Sequence, residues 1–494
     1  MARRGTELAT LAERSAAETD TTGIRGTARG GLVNLVGAAV AGVGGLAITW
    51  LVAVVLSPEQ AGAFFAATSV FLVAAAVARL GTPTGLVYWV ARLRQTGREA
   101  AIGSVLRGAL IPAVVVSAAA AVALAASAPL FASADLVRLL ALFLPASVAL
   151  EALLAATRGY RLMGPSVIID KLGRTLAQLG SLAAVALTGS ASAAAVTAAW
   201  ALPYLPAAVA AGWFLYRRRS ADPPPDPGFP DRVGARAFWG FTAPRAVAGV
   251  AQIGLQRVDI VLVAALAGLG PAAVYTVATR FVIIGQLVSG AVGQAVQPRA
   301  AAAMAAGEPV SAGRLYQEST AWIVALTWPF YLTVALAVDW YLRLFGGAYD
   351  GAGAREVVWI LVPAMMASAA CGVVDSMLAM AGKTSWQLID VLISLSVNVA
   401  LNLALIPSLG VVGAAIAWSA AIVVNNLIPL AQLWRTYGLH PFGGSARRAL
   451  VACGIAFGAL PAAAGLVGPP WTLAALAAAG AAWTAVLLRF RRRI

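Results

Sequence analysis

Stretches of about twenty apolar residues, the length an α-helix needs to cross the hydrocarbon core of a bilayer, recur along almost the whole chain, and this pattern excludes most folds. They fall near 31–56, 61–80, 103–126, 136–157, 165–188, 192–216, 240–266, 271–295, 317–338, 355–380, 385–407, 410–434, 447–467 and 470–488. No large soluble domain fits between them, so the working parts belong within the membrane. Of the 494 residues, 61% are hydrophobic and 11% charged, and the mean hydropathy is +0.84. A soluble domain carries roughly a quarter charged residues. The chain is therefore expected to be an all-α polytopic membrane protein of about fourteen transmembrane helices.

The net charge of +15 is strongly basic, but the cations sit in alternate loops. One set of loops holds Arg92, Arg94, Arg98, Arg158, Arg161, Arg217–Arg219, Arg299, Arg314, Lys383, Arg435, Arg447 and Arg448, and the other holds only Arg138, Arg343 and Arg355. That asymmetry is a positive-inside signal placing both termini in the cytoplasm, and no nucleic-acid partner is expected. Residues 1–29 are polar and precede an apolar stretch too long for a signal-peptide core, so they read as a cytoplasmic tail. Cys371 and Cys453 fall in apolar runs as packing residues. With a single histidine they cannot build a zinc-type site, so neither metal nor other cofactor is expected.

The Pro-rich stretch 222–227 cannot continue a helix and divides the chain. The expected organisation is a first six-helix lobe over 30–216, a cytoplasmic linker over 217–238, a second six-helix lobe over 239–436, and two further helices with a basic tail over 437–494. The lobes read as a repeat. Residues 61–71 match 271–281 in character, Ile169-Asp170 matches Ile389-Asp390, and Gln178 falls on Asn398. An even number of spans per copy gives a parallel repeat about an axis along the membrane normal.

An ionisable group inside a span costs about 2.5–3.5 kcal/mol on insertion scales, so such groups are expected to face a bundle interior or a wet cavity. On span seven Arg245, Gln252, Gln256 and Asp259 fall within about 60° of one another on a helical wheel, with Arg257 on a different face. On span eight Thr276, Arg280, Gln294 and Gln297 share a narrow sector, and on span eleven Gln387, Asp390, Ser394, Asn398 and Asn402 drift across about 120°. For the amides and hydroxyls, interhelical hydrogen bonding is an equal alternative. Asp259, Arg280 and Asp390 read as functional. In the first half, Asp170, Lys171 and Arg174 are accounted for by snorkelling or a local salt bridge, whereas Arg79 suits a phosphate. The cluster Asp339, Trp340, Tyr341, Arg343 and Asp350 reads as an aromatic belt at the outer interface.

The run 401–417 fits the pattern L-N-x-x-L-I-P-x-x-G-x-x-G-A-A-x-A, and Arg257-Val258-Asp259-Ile260 is followed by Gly270 and Tyr275. In these motifs the chain resembles the polysaccharide flippases of the Wzx type, within the multidrug/oligosaccharidyl-lipid/polysaccharide exporter superfamily. Gly410, Gly413, Ala414 and Ala415 permit close helix approach, and Pro407 is expected to end its span at the outer surface. The resemblance implies two lobes in a V around a cationic cavity, in the plasma (inner) membrane of a bacterium. It implies a transporter, not an enzyme, that flips a lipid-linked oligosaccharide of undecaprenyl-pyrophosphate type for cell-surface polysaccharide biosynthesis, beside membrane lipids and a polysaccharide polymerase or glycosyltransferases. On this reading Arg79, Arg245, Gln252, Gln256, Arg257 and Arg280 bind substrate, Asp259 and Asp390 couple ions, and Asn398 and Gln294 line a polar cavity. Arginine suits the headgroup because its fork binds phosphate oxygens bidentately. The first lobe holds few arginines for a very basic cavity. A lipid II flippase and a cation-coupled multidrug exporter are the alternatives, the arginine stripes arguing against the exporter. A membrane glycosyltransferase or polymerase would need a larger outer loop than 339–354.

Overall fold

The structure, a computed structural model, describes residues 36–189, 191–220, 235–351 and 353–491. The expected tail over 1–29, most of the expected linker and the last basic residues lie outside the described residues. Those described are helical throughout, with no strand among them. Lipid leaves backbone N–H and C=O groups no partner but their own helix, which is why near-continuous apolar sequence resolves this way.

The first half comprises α1 (Val36–Val55), α2 (Pro58–Ala78), α3 (Thr82–Gln95), α4 (Ile102–Ser127), α5 (Ala134–Ala141), α6 (Leu144–Gly159), a π-helical segment Ser166–Arg174 continuing into α7 (Thr175–Leu187), α8 (Ala193–Ala201) and α9 (Tyr204–Arg219). The second comprises α10 (Ala235–Leu266), α11 (Leu269–Ala278), α12 (Val282–Ala305), α13 (Pro309–Leu336), α14 (Val338–Arg343), α15 (Ala354–Cys371), α16 (Val374–Met380), α17 (Thr384–Leu409) and α18 (Val411–Tyr437). The chain ends with α19 (Gly444–Cys453), a π-helical turn, α20 (Leu460–Gly465) and α21 (Pro469–Arg491), and Trp483 donates from its indole to the Ala325 carbonyl on α13 at 2.9 Å.

Ten helices among the described residues are long and apolar enough to cross a membrane, or twelve if each of two bent pairs is one span. The two other expected spans coincide with Ser166–Leu187, which carries Asp170, Lys171 and Arg174, and with α21. The bent pairs are α5 with α6, at 46°, and α11 with α12, at 44°. The second bend falls at Thr279–Phe281, inside the stretch aligned with 61–71, where α2 runs on unbroken to Ala78. Below α2 the chain breaks at Leu80 and Gly81, both at positive φ (52° and 69°), and α3 carries span two well past its expected end at residue 80. Pro407 does not end its span. Helix α17 passes through it to Leu409 and stops at Gly410, whose φ of 56° suits a residue without a Cβ.

The two halves meet along α2, which packs on α10 and α11. A Cβ on Gly62 of α2 would overlap the Leu269 carbonyl, so glycine there is what lets the helices close. At the same end of the bundle the Trp50 indole donates to the Leu344 carbonyl at 2.8 Å and the Tyr349 hydroxyl to the Ala53 carbonyl at 3.3 Å. The segment receiving α1 is braced by Arg355 on Asp339 (2.7 Å) and Asp350 (3.5 Å) and by Arg343 on Asp350 (3.4 Å). What reads in sequence as an aromatic belt is also an ion-pair brace. At the opposite end Tyr88 of α3 stacks on Phe241 of α10, with ring centroids 4.1 Å apart.

Candidate functional site

Between the halves lies a cavity of about 380 Å³. Its walls combine small residues of α1 (Ala41, Gly42, Gly45) with the hydroxyls Thr68 and Ser69 of α2 and the rings of Trp200 and Tyr204. Three guanidinium groups border it: Arg174 from the first half, Arg257 from α10, and Arg280 at the bend between α11 and α12.

These arginines differ in how they are held. Arg174 is ion-paired to Asp170 at 2.6 Å, donates to the Gln178 side-chain oxygen at 3.0 Å, and lies 4.9 Å over the Tyr204 ring. Gln178 is fixed in turn by donating to the Trp200 carbonyl at 2.8 Å. Arg280 gives its Nε–H to the Thr276 carbonyl at 2.9 Å, leaving the rest of its fork free of carboxylate. Arg257 makes no hydrogen bond or ion pair among the described residues. The neighbouring acid, Asp259, is 1% exposed and already engaged. The Tyr275 hydroxyl donates to one oxygen at 2.5 Å and the Ile260 N–H to the other at 2.9 Å. Guanidinium stays charged in any protein setting. Two such groups facing one cavity, neither ion-paired to a carboxylate among the described residues, can accommodate an anion with oxygen acceptors, with Asp259 nearby as their common acid.

From this cavity a polar path follows α10. A 60 Å³ space shares Arg257, Arg280 and Gln286 with the central cavity and adds Gln256, Asp259 and Trp418. A 140 Å³ space shares Gln256, Gln286 and Trp418 with it and adds Gln252, Ser289, Ser368, Asn425 and Asn426. The largest of these four, about 520 Å³, shares Gln252 and Asn425 with the 140 Å³ space and is bounded by Arg245, Asp375, Gln387 and Asp390, with Thr84 from the first half.

Among the residues expected at the site, Arg245, Gln252, Gln256, Arg257, Arg280, Asp259 and Asp390 thus border four cavities that share lining residues along α10. Arg79, Asn398 and Gln294 border none of these four. Arg79 is half-buried at the α2–α3 break, its Nε without a partner. Asn398 is fully buried and its side-chain oxygen accepts from the Asn402 amide at 3.0 Å, one turn further along the same helix, so the bond is intrahelical and not the interhelical one that is the alternative for these amides. Gln294 is exposed on α12. Reading residue by residue misses Arg174, whose salt bridge exists as expected but which also faces the central cavity. It also misses Gln286, Asp375, Trp418, Asn425 and Asn426. The consecutive amides Asn425-Asn426 inside span twelve were the available signal.

Residues 244–404 match the MatE family model. A comparison with curated proteins gives no match. Among solved structures the chain is similar to the inward-facing conformation of a multidrug resistance MATE family transporter of the MOP superfamily, with a TM-score of 0.67 and 14% identity over 84% of this chain and 96% of that one. It is similar to the lipid II flippase MurJ in an inward closed conformation, with a TM-score of 0.68 and 12% identity over 94% of this chain and 98% of that one. A third similar structure is a MOP superfamily transporter from Pyrococcus furiosus, with a TM-score of 0.56 and 14% identity over 88% and 96%. The chain is a multi-pass integral membrane protein with the MOP-superfamily transporter fold, and the proteins named as sharing that fold are transporters and a flippase, not enzymes.

Proposed function

We propose that the protein moves a lipid-linked, phosphate-bearing saccharide of undecaprenyl-pyrophosphate type across a bacterial plasma membrane by alternating access, for cell-surface polysaccharide assembly. The observation that carries this reading is the pair Arg257 and Arg280, facing the cavity between the halves with neither ion-paired to a carboxylate among the described residues. The substrate phosphates would complete them, while Arg174, held by Asp170 and Gln178, closes the site from the other half. A cationic drug would meet three guanidinium groups there and be repelled. A lipid II substrate has the same headgroup chemistry and differs in the sugars attached.

In the topology set by the loop arginines, the Arg245 end of the path opens to the cytoplasm, and the Trp50 and Tyr349 contacts close the outer end. Asp259 then serves as an anchor between α10 and α11, and Asp390 is the expected coupling acid that keeps an open oxygen. Glycosyltransferases supplying the substrate and a polymerase consuming it are the partners this role calls for.

The test is translocation of a fluorescent short-chain lipid pyrophosphate saccharide in proteoliposomes. The expected result is transport by the wild type and loss of it in an R257Q/R280Q double variant that keeps its thermal stability. Equal transport by the two would overturn the reading.

A further inference from the structure

We propose that the 520 Å³ cavity at the Arg245 end of α10 is a saccharide subsite that favours neutral or amino sugars and disfavours uronic acids. This rests on the reading of the central cavity as the phosphate site and assigns the sugar end of the same substrate.

Sugar hydroxyls donate as well as accept, so a wall that recognises them presents acceptors and amides in place of a fork of cations. This cavity is bordered by Asp375, Asp390, Gln387, Gln252 and Asn425. Asp390 is 2% exposed, and one of its oxygens accepts from the Gln432 side chain at 2.9 Å while the other has no partner. The Gln432 side-chain oxygen is likewise buried and unpartnered. The carboxylates and amide oxygens bordering the cavity offer acceptors to a donor, which a hydroxyl or an ammonium group supplies and a carboxylate does not.

The charge balance points the same way. The cation bordering this cavity, Arg245, is folded onto its own helix, its guanidinium 3.8 Å over the Phe241 ring and donating to the Phe241 carbonyl at 2.8 Å. Two carboxylates on neighbouring helices are left to set the sign of the wall, opposite to that of the central cavity. From Arg257 to Arg245 the helix rises roughly 18 Å, a reach that takes a short oligosaccharide, not a single sugar. The path between is paved by Gln252 and Gln256, which suit neutral hydroxyls.

The experiment measures binding by the full chain in detergent of two short-chain prenyl pyrophosphate trisaccharides that differ only in a terminal glucose or glucuronate. The wild type is expected to bind the glucose form about tenfold more tightly, since like charges brought together inside a site weaken binding strongly. D375N and D390N, made separately, should bring that ratio close to one, while R257Q weakens both ligands and keeps the ratio. A ratio near one in the wild type, or one that neither asparagine variant changes, overturns the proposal. Failure of the phosphate reading is a separate result, in which a sugar-free prenyl pyrophosphate binds the wild type and R257Q alike.

Discussion

Tyr275 donates its hydroxyl to Asp259 across 2.5 Å, joining α11 to α10 within two residues of the unpaired guanidinium of Arg257. The hydrogen bonds of the carboxylate go to a phenol and a backbone N–H, and neither Arg257 nor Arg280 is hydrogen-bonded to it.

Removing the phenol tests this arrangement. Y275F leaves a buried carboxylate oxygen without its donor and should destabilise the protein by about 1–3 kcal/mol, read as a lower melting temperature in detergent. An unchanged melting temperature would mean that water or another group takes over the contact.

The close approach of the halves at Gly62 gives a second test. G62V places a branched side chain against the Leu269 carbonyl and forces α2 from α11. Overpacking of this kind costs about 1–3 kcal/mol, and transport should fall with it. Wild-type transport by G62V would show that this contact is not made in the cycle.

The Trp50 and Tyr349 hydrogen bonds predict a bias toward the state closed at that end. W50F or Y349F removes one bond worth about 0.5–1.5 kcal/mol, so a cysteine placed at Thr68 should react about two- to tenfold faster with a membrane-impermeant thiol reagent from outside. The native cysteines, Cys371 and Cys453, are buried and supply little background. No rate change in either variant would remove the latch from the account.

That latch is also predicted to be insensitive to pH in the ordinary range. Burial pushes the Tyr349 hydroxyl up to about 12, so its contribution is complete below the unfolded value near 10 and is lost only as pH rises through the folded one. Cysteine reactivity should therefore be flat from about pH 6 to 9 once corrected for thiolate formation. A step in that interval would assign the latch to another group.

Helix content and the polar face of α10 were legible in the sequence because both follow from local rules, the need to satisfy the backbone in lipid and the angular spacing of a straight helix. Where the helix is not straight, the wheel misleads. Arg280 and Gln294 share a sector only if span eight is one rod. The bend at Thr279–Phe281 puts Arg280 at the joint and leaves Gln294 on a separate segment. Arg174 lies in a π-helical segment, whose longer hydrogen-bonded turn alters the register on which a face assignment depends. Arg257 was set on a different face from its neighbours, yet cavities wrap α10 closely enough that both faces border the path. Trp418, Asn425 and Asp375 enter through packing of α17 and α18 on α10 and of α16 on α17 and α18, which no single-helix pattern encodes.

The central claim is that Arg257 and Arg280 hold the substrate's phosphates, and binding of a sugar-free prenyl pyrophosphate measures it most directly, with the matching prenyl alcohol as control. The account predicts that the wild type binds the pyrophosphate far more tightly than the alcohol. Each of R257Q and R280Q should weaken it about ten- to a hundredfold, the worth of one charge-assisted hydrogen-bonding contact, and the double variant should erase the difference between the two ligands. A wild type that binds alcohol and pyrophosphate equally, or a double variant that still discriminates between them, would contradict it.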